Sequence, residues 1–286
     1  MIKTIAKVIN KFMLTTSIVL YHTPKPKIAA LLDCITQSIV DVIYLIDNSA
    51  DDRYRILEKQ SGKIRYIHNK NLGYGASHNI ALHEALDIGS TFHLILNPDI
   101  RFSPDIIPML LSYMQKDDDV AYILPKVIYP DGTIQYLCKL LPTPFDLFFR
   151  RFIPNTRLTQ KLNDKYVLRN SGYNKIINPP CLSGCFMFLR MSTVKEKNLF
   201  FDERFFMYCE DFDFIRRLHR IAKTIYYPDV SIIHDHAKES YKSTKMIIEH
   251  IKSTIKYFNK WGWFFDKERK SFNQQVLIEL GFKRKR

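Results

Sequence analysis

Several short stretches carry side chains suited to phosphate, metal or proton chemistry. The longest is FDERFFMYCEDFDFIRR, Phe201–Arg217, which sets adjacent carboxylates, Glu210 and Asp211, after an aromatic run and before a helical pattern. On that helix Ile215, Leu218, His219 and Ala222 share a face, with Arg216, Arg217 and Arg220 off it. Acids at a helix N-terminus lie where the dipole favours negative charge, and on this stretch alone they read as caps. Asp47 directly follows an apolar run. Such an acid either accepts a hydrogen bond from the base or ribose of a nucleotide or closes an Asx turn. Asn71-Leu72-Gly73-Tyr74-Gly75-Ala76-Ser77-His78-Asn79 puts two glycines ahead of a helix. That permits close backbone approach and offers helix N–H groups to a phosphate, although the pattern is neither a Walker loop nor GxGxxG. In Asn97-Pro98-Asp99 the carboxylate is either a ligand for Mg²⁺ or Mn²⁺, which prefer oxygen donors, or an exposed turn acid. His234 is either a metal ligand or a histidine satisfied by its neighbours.

These residues need a scaffold that gathers them. Thr15–Leu20, Asp41–Ile46, Ile64–Ile67 and Phe92–Leu96 are short apolar runs, and Ile28–Ile39 and about Ala76–Leu86 between them read as helices. Buried strands separated by helices predict an α/β fold with a mostly parallel central sheet flanked by helices, and ligands beyond the carboxyl ends of its strands. In the second half, Val120–Tyr129 reads as a strand and Pro130-Asp131-Gly132 as a turn. Gln135–Arg169 is less regular. Cys181–Leu189 is an apolar strand bearing Ser183-Gly184, and Thr224–Tyr227 and Val230–Ile233 are strands ending in His234-Asp235-His236. From Tyr241 the chain is helical, aromatic and basic, down to a Lys283–Arg286 tail. There is no internal repeat.

The 286 residues suffice for one large domain or two small ones, and 46% hydrophobic content supplies a core. A net charge of +14, from 43 basic against 29 acidic side chains, points to an anionic partner: nucleic acid, a membrane surface or phosphorylated small molecules. The five cysteines, Cys34, Cys138, Cys181, Cys185 and Cys209, form no CxxC pair and indicate a reduced, cytosolic compartment. Cys181 and Cys185 lack partners at zinc-site spacing and read as buried thiols. No apolar run approaches the roughly 18–20 residues that span a bilayer. The first 14 residues form an amphipathic helix in pattern, Ile2, Ile5, Ala6, Ile9, Phe12 and Met13 against Lys3, Lys7 and Lys11, suited to a membrane interface or to its own domain.

Taken together, the ordered pieces resemble a known family. The series Asp47-Asn48-Ser49, Asn71-x-Gly-x-Gly-x-x-x-Asn79, Leu96-Asn97-Pro98-Asp99, Leu182-Ser183-Gly184, Phe201-Asp202-Glu203-x-Phe205-Phe206-Met207-Tyr208-x-Glu210-Asp211-x-Asp213 and His234 is similar to the family-two inverting glycosyltransferases, and within them to the bacterial rhamnosyltransferase-like branch. The resemblance covers about Thr15 to Ser240. It implies a GT-A fold over 15–240, with a nucleotide-sugar half at 15–125 and an acceptor half at 126–240, followed by a helical, basic extension at 241–286. By position, Asp47, Asn48, Asn71, Gly73, Asn79, Asn97 and Asp99 fall on the nucleotide-sugar side, and Ser183 and Gly184 on the acceptor side. Asp99 and His234 would hold Mg²⁺ or Mn²⁺. Asp211 would be the catalytic base and Glu210 its support. One departure is Asn97 in place of the first acid of a DxD element, which leaves fewer carboxylates on the metal.

The residue types agree with sugar transfer. An attacking hydroxyl must lose a proton to a positioned carboxylate, and a departing diphosphate needs its charge neutralised. The resemblance further implies a dTDP- or UDP-linked donor, rhamnose first, and a glycan acceptor, polyprenyl-diphosphate-linked, at the inner face of a bacterial cell membrane. Leu140–Ile153, with Arg150 and Arg151, fits an anionic membrane surface. So does the C-terminal mixture of Tyr257, Phe258, Trp261, Trp263, Phe264 and Phe265 with Lys252, Lys256 and Lys260; ordinary helix packing explains both segments too. No helix-turn-helix, zinc-finger or RNP pattern supports a nucleic-acid partner. A nucleotidyltransferase would show a glycine-rich basic loop after its first strand, and Tyr21–Lys27 has no glycine. A catalytically inactive nucleotide-sugar-binding module would not need Asp99, Asp211 and His234 together.

Overall fold

The computed structural model describes residues 12–149, 156–235 and 244–282. The helix expected at 1–14 therefore falls almost wholly outside the described residues, as do Arg150, Arg151, His236 and the Lys283–Arg286 tail.

One sheet of eight strands organises the molecule: β1 Leu14–Leu20, β2 Val42–Asp47, β3 Ile64–His68, β4 Phe92–Leu96, β5 Ile100–Arg101, β6 Val120–Ile128, β7 Phe186–Arg190 and β8 Lys223–His234. Their order is β3-β2-β1-β4-β7-β6-β8-β5. β3, β2, β1 and β4 run parallel to one another, and β6 runs parallel to β8. β7 lies antiparallel between β4 and β6, and β5 antiparallel on β8. The apolar side chains of β1, β2 and β4 are buried on both faces, as expected of strands covered by helices on either side.

The helices are α1 Lys25–Thr36, α2 Tyr74–Asp87, α3 Ile106–Lys116, α4 Arg157–Tyr166, α5 Met191–Glu196, α6 Glu210–His219, α7 Thr244–Trp261 and α8 Lys267–Glu279. α1 opens with proline in its first turn, where the missing N–H has no intrahelical partner to lose. α3 buries Ile106, Ile107, Leu110, Leu111 and Met114 at helical spacing, an amphipathic signal that the sequence reading above passes over.

Several boundaries differ from expectation. The helix expected at Ile28–Ile39 lies at Lys25–Thr36, and the one expected from about Ala76 begins at Tyr74, with Gly75 inside it. β7 starts at Phe186, so Ser183-Gly184 precede it as a turn rather than sitting inside a strand. Thr224–Tyr227 and Val230–Ile233 are one strand, β8. Its pairing with β6 jumps from Pro125–Tyr227 to Lys126–Ser231, so Pro228–Val230 bulge out where proline has no N–H for the ladder.

The core contains a polar seam. Ser17 Oγ lies 2.7 Å from His78 Nδ1 and 2.8 Å from His93 Nε2, and His93 Nδ1 lies 2.7 Å from Thr15 Oγ1. Burial keeps both rings neutral, pushing His93 down to about 3.

The C-terminal helices pack onto this body. Tyr257 and Phe258 of α7 join Leu147, Phe205 and Cys209 in a second apolar cluster, with Phe148, Trp261 and Trp263 against it. Asn273 of α8 exchanges a pair of hydrogen bonds with the backbone of Leu141. Arg216 was expected off the apolar face of α6, but it is buried. Its guanidinium forms a bidentate pair with Asp266, a bond to Glu268 and a stack 4.1 Å over the Trp261 ring, because α7 and α8 cover that side.

Candidate active site

The sheet order brings the separated acids together. β4 and β7 pair with Leu96 opposite Phe186, so the residues after β4 adjoin those before β7: Asn97 N donates to Cys185 O at 2.9 Å. β5 and β8 pair with Ile100 opposite His234, and Asp235 N donates to Asp99 O at 3.0 Å. This sets His234 Nε2 3.3 Å from Asp99 Oδ1. An antiparallel insertion thus delivers Ser183-Gly184 and His234 to the end of the sheet where β2 and β4 deliver Asp47 and Asp99.

Tyr74, the first residue of α2, ties the two sides. Its hydroxyl lies 2.8 Å from Asn97 Oδ1 and 3.1 Å from Gly184 O. Gly184 N in turn donates to Asp211 Oδ2 at 3.2 Å. Burial raises the Tyr74 hydroxyl far above its ordinary range, and the fields of Glu210, Asp211 and Asp99 add to it. A phenol that feels all these acids at once stands at the centre of one site.

The backbone turns sharply into α6. Tyr208 and Cys209 both have left-handed φ, 67° and 63°, and Glu210 and Asp211 are the first two helical residues. Neither carboxylate caps the helix through its side chain at the N-cap, which is Cys209. Asp211 accepts from Gly184 N and Phe212 N, whereas Glu210 Oε2 is buried without a hydrogen-bond partner among the described residues. Burial raises both acids; the Asp211 charge raises Glu210 further, while Lys139 and backbone N–H groups act to lower Asp211. Within the pair, the Lys139 field and the backbone N–H groups favour the charge on Asp211.

At the other side, Gln135 fixes the His234 ring. Gln135 Oε1 lies 3.0 Å from His234 Nδ1, and Gln135 Nε2 donates to His234 O at 2.8 Å. With Nδ1 directed at Gln135, Nε2 faces Asp99. Burial favours the neutral ring, but Cys185 and Asp99 outweigh it and push His234 up to about 10. Burial likewise works against charge on Asp99, yet His234 and then Lys27 hold its carboxyl below the usual range. Among the described residues no group of three or more His, Cys, Asp or Glu is arranged to hold a metal ion. An oxygen and an imidazole nitrogen, the latter oriented by Gln135, are donor types that could hold Mg²⁺ or Mn²⁺ if the remaining ligands came from elsewhere.

The remaining expected residues have other partners. Asp47 is fully buried; Oδ1 accepts from Ser49 N at 2.9 Å, an Asx turn, and Oδ2 accepts from the Tyr66 hydroxyl at 2.7 Å. Asn48 pairs its amide with Ser77 of α2. Asn71 is exposed, and its side chain accepts from Gly73 N. At Gly73 (φ 101°) a Cβ would stand 2.2 Å from Phe206 O, so the missing side chain serves close packing against the loop before α6. Asn79 donates to Phe201 O and Glu203 Oε1 and accepts from Phe201 N. It fastens α2 to that same loop. Gly184, expected on the acceptor side, is also tight: its Cβ would meet Asp211 Cβ at 3.0 Å. Tyr74, Gln135 and Lys139 were not singled out from sequence; Tyr74 alone had a signal, its place between the two glycines.

Residues 18–196 match glycosyl transferase family 2. The Escherichia coli (strain K12) rhamnosyltransferase WbbL is 27% identical over 234 residues, 73% of this chain and 84% of its own length. The N-acetylglucosaminyl-diphospho-decaprenol L-rhamnosyltransferase of Mycobacterium tuberculosis (strain ATCC 25618 / H37Rv) is 24% identical over 266 residues, 85% of this chain and 84% of its own. Among solved structures, GalNAc-T7 with UDP, GalNAc and Mn²⁺ superposes with a TM-score of 0.62 at 12% identity over 96% of this chain, which spans 57% of that one. The chain belongs to glycosyl transferase family 2, has the GT-A fold, and resembles the rhamnosyltransferases of that family.

Proposed function

We propose that the protein is an inverting glycosyltransferase that moves a sugar, rhamnose in the first instance, from a dTDP- or UDP-linked donor to a glycan on a polyprenyl diphosphate. The observation that carries this reading is the Asp211 carboxyl tethered to Gly184 N, one tyrosine away from Asn97 and the Asp99–His234 pair. The nucleotide would lie over the carboxyl ends of β1, β2 and β4, against the Asp47–Ser49 turn and Asn71. Asp99 and His234 would hold Mg²⁺ or Mn²⁺, which, when bound, neutralises charge on the diphosphate. Asp211 takes the proton of the attacking hydroxyl, and protonated Glu210 beside it adds no second charge. A single displacement inverts the anomeric carbon and needs no nucleophile from the protein. The printed activity of the Mycobacterium relative supports a rhamnosyl donor and a diphospholipid acceptor.

The membrane surface supports the same acceptor class. Tyr257 and Phe258 are core, Trp261 lies under Arg216, and Lys260 pairs with Asp202 and Asp213, so these residues are packing rather than anchors. Phe264 and Phe265, 77% and 98% exposed, remain, beside the outward Ile248, Ile251 and Ile255 of α7 and the exposed Lys252 and Lys256. An aromatic tip flanked by cations suits peripheral association with an anionic leaflet.

The test is a panel of nucleotide sugars with polyprenyl-diphosphate-linked acceptors, read by mass spectrometry. A glycosylated lipid of inverted anomeric configuration is expected from wild type, and Asp211→Asn should lower turnover by about 100-fold or more while donor affinity stays near wild type. Normal turnover with lost donor affinity in Asp211→Asn would refute the base assignment.

A further inference from the structure

Asp211 is an unusual general base in its surroundings. It follows a buried acid in sequence and stands half-buried at the start of α6. The titratable groups that face it are Glu210, Lys139, Tyr74, Tyr122, Cys181 and Cys209. Burial keeps both phenols and both thiols protonated, so none of them offers a positive charge. Lys139 is the cation of this group. It sits in the irregular segment between β6 and α4, and its backbone N donates to Cys181 O at 2.8 Å. That bridge places it beside the strand entry leading to Ser183-Gly184, the same turn that holds Asp211. Its half-buried ammonium lies 5.3 Å from the centre of the Phe212 ring, the residue after Asp211.

We propose that Lys139 is a positioning residue for the transfer reaction: its ammonium, held over Phe212 at the start of α6, keeps the Asp211 carboxylate ionised beside buried Glu210. This rests on Asp211 being the base. A carboxylate next to a buried acid takes up a proton more readily, and an opposite charge nearby reverses that tendency. The proton moved in the reaction passes from the acceptor hydroxyl to the Asp211 carboxylate; the Lys139 N–H protons are not transferred. The cation acts by field alone, so an arginine in its place should preserve it, and a neutral side chain of similar length should not.

The sign follows directly. Without the cation, Asp211 is protonated at higher pH, and activity is lost first on the acid side. Lys139→Met should therefore transfer about tenfold more slowly than wild type near pH 6, with the deficit closing toward pH 9, while Lys139→Arg keeps the wild-type profile. A second readout needs no turnover. In protein carrying ¹³C-carboxyl aspartate, with Asp211→Asn to assign the signal, the Asp211 carboxyl should titrate at higher pH in Lys139→Met than in wild type and stay in place in Lys139→Arg. An unmoved carboxyl midpoint overturns the proposal even if transfer is impaired. So does an equal loss at every pH, or a defect confined to the KM of diphosphate-bearing acceptors, which would make Lys139 a substrate contact. A moved midpoint in protein that transfers no sugar would uphold the pairing and instead refute the transferase reading.

Discussion

Asp99 and His234 illustrate how residues distant in sequence acquire a joint role. Each has an innocuous alternative, a turn acid and a satisfied histidine, and the pairing of β5 with β8 brings the two within 3.3 Å of each other. Asn97, by contrast, has its amide oxygen engaged by Tyr74 rather than presented to a cation. Under the proposed function one carboxylate and one imidazole would be the protein ligands, so each would matter. Asp99→Ala should weaken Mn²⁺-dependent donor binding by about tenfold or more in calorimetric titration, with little change when metal is chelated. Unchanged metal response would return Asp99 to the role of a turn residue. At this scale the sequence was most legible where polar residues interrupt buried strands, as at Asp47 and Asn97-Pro98-Asp99. It was silent on Gln135 and Lys139. Both lie in the irregular stretch after β6, where no periodicity marks a direction, and their meaning comes from His234 and Asp211 across the fold.

Among elements, α6 carries the most. Its N-terminus presents Glu210 and Asp211, and its other end is held by the C-terminal helices. Arg216 and Asp266, with side chains 1% and 3% exposed, form the centre of this hold; Glu268 bonds both Arg216 and Arg220, and Asp213 gathers Arg217, Lys260 and the Trp261 indole. Ion pairs of this kind gain little over a well-packed apolar alternative, but losing one partner leaves a buried charge alone. Arg216→Met should cost about 3 kcal/mol or more in chemical denaturation. A loss below about 1 kcal/mol would mean that water reaches Asp266 and that the hold is weak. Helical spacing put Arg216 off the apolar face of α6 and did not foresee its burial. Its partners lie some fifty residues on, and a guanidinium enters a core only when they arrive. The strands, buried on both faces, needed no such partner to be read.

For the molecule as a whole, the acids open at one end of the sheet while α7 and the Phe264-Phe265 tip offer an apolar, basic surface. Among the described residues no helix is long and apolar enough to cross a membrane, so association with a lipid-linked acceptor would rest on that surface and on segments outside the described residues. Replacing Phe264 and Phe265 with serine should lower partitioning onto anionic liposomes by at least about tenfold, with activity on a short soluble acceptor retained. Equal flotation of the variant and wild type would place the membrane contact elsewhere.

The hold on α6 also has a genetic reading. The family match ends at Glu196, ahead of Glu210, Asp211 and His234, and far ahead of Asp266 and Glu268. A nonsense codon just past Trp263 would spare every motif residue, yet it would remove both carboxylates that pair with Arg216 and the helix that covers it. Alleles of that sort are expected to lose stability, although nothing in the motifs themselves would mark them.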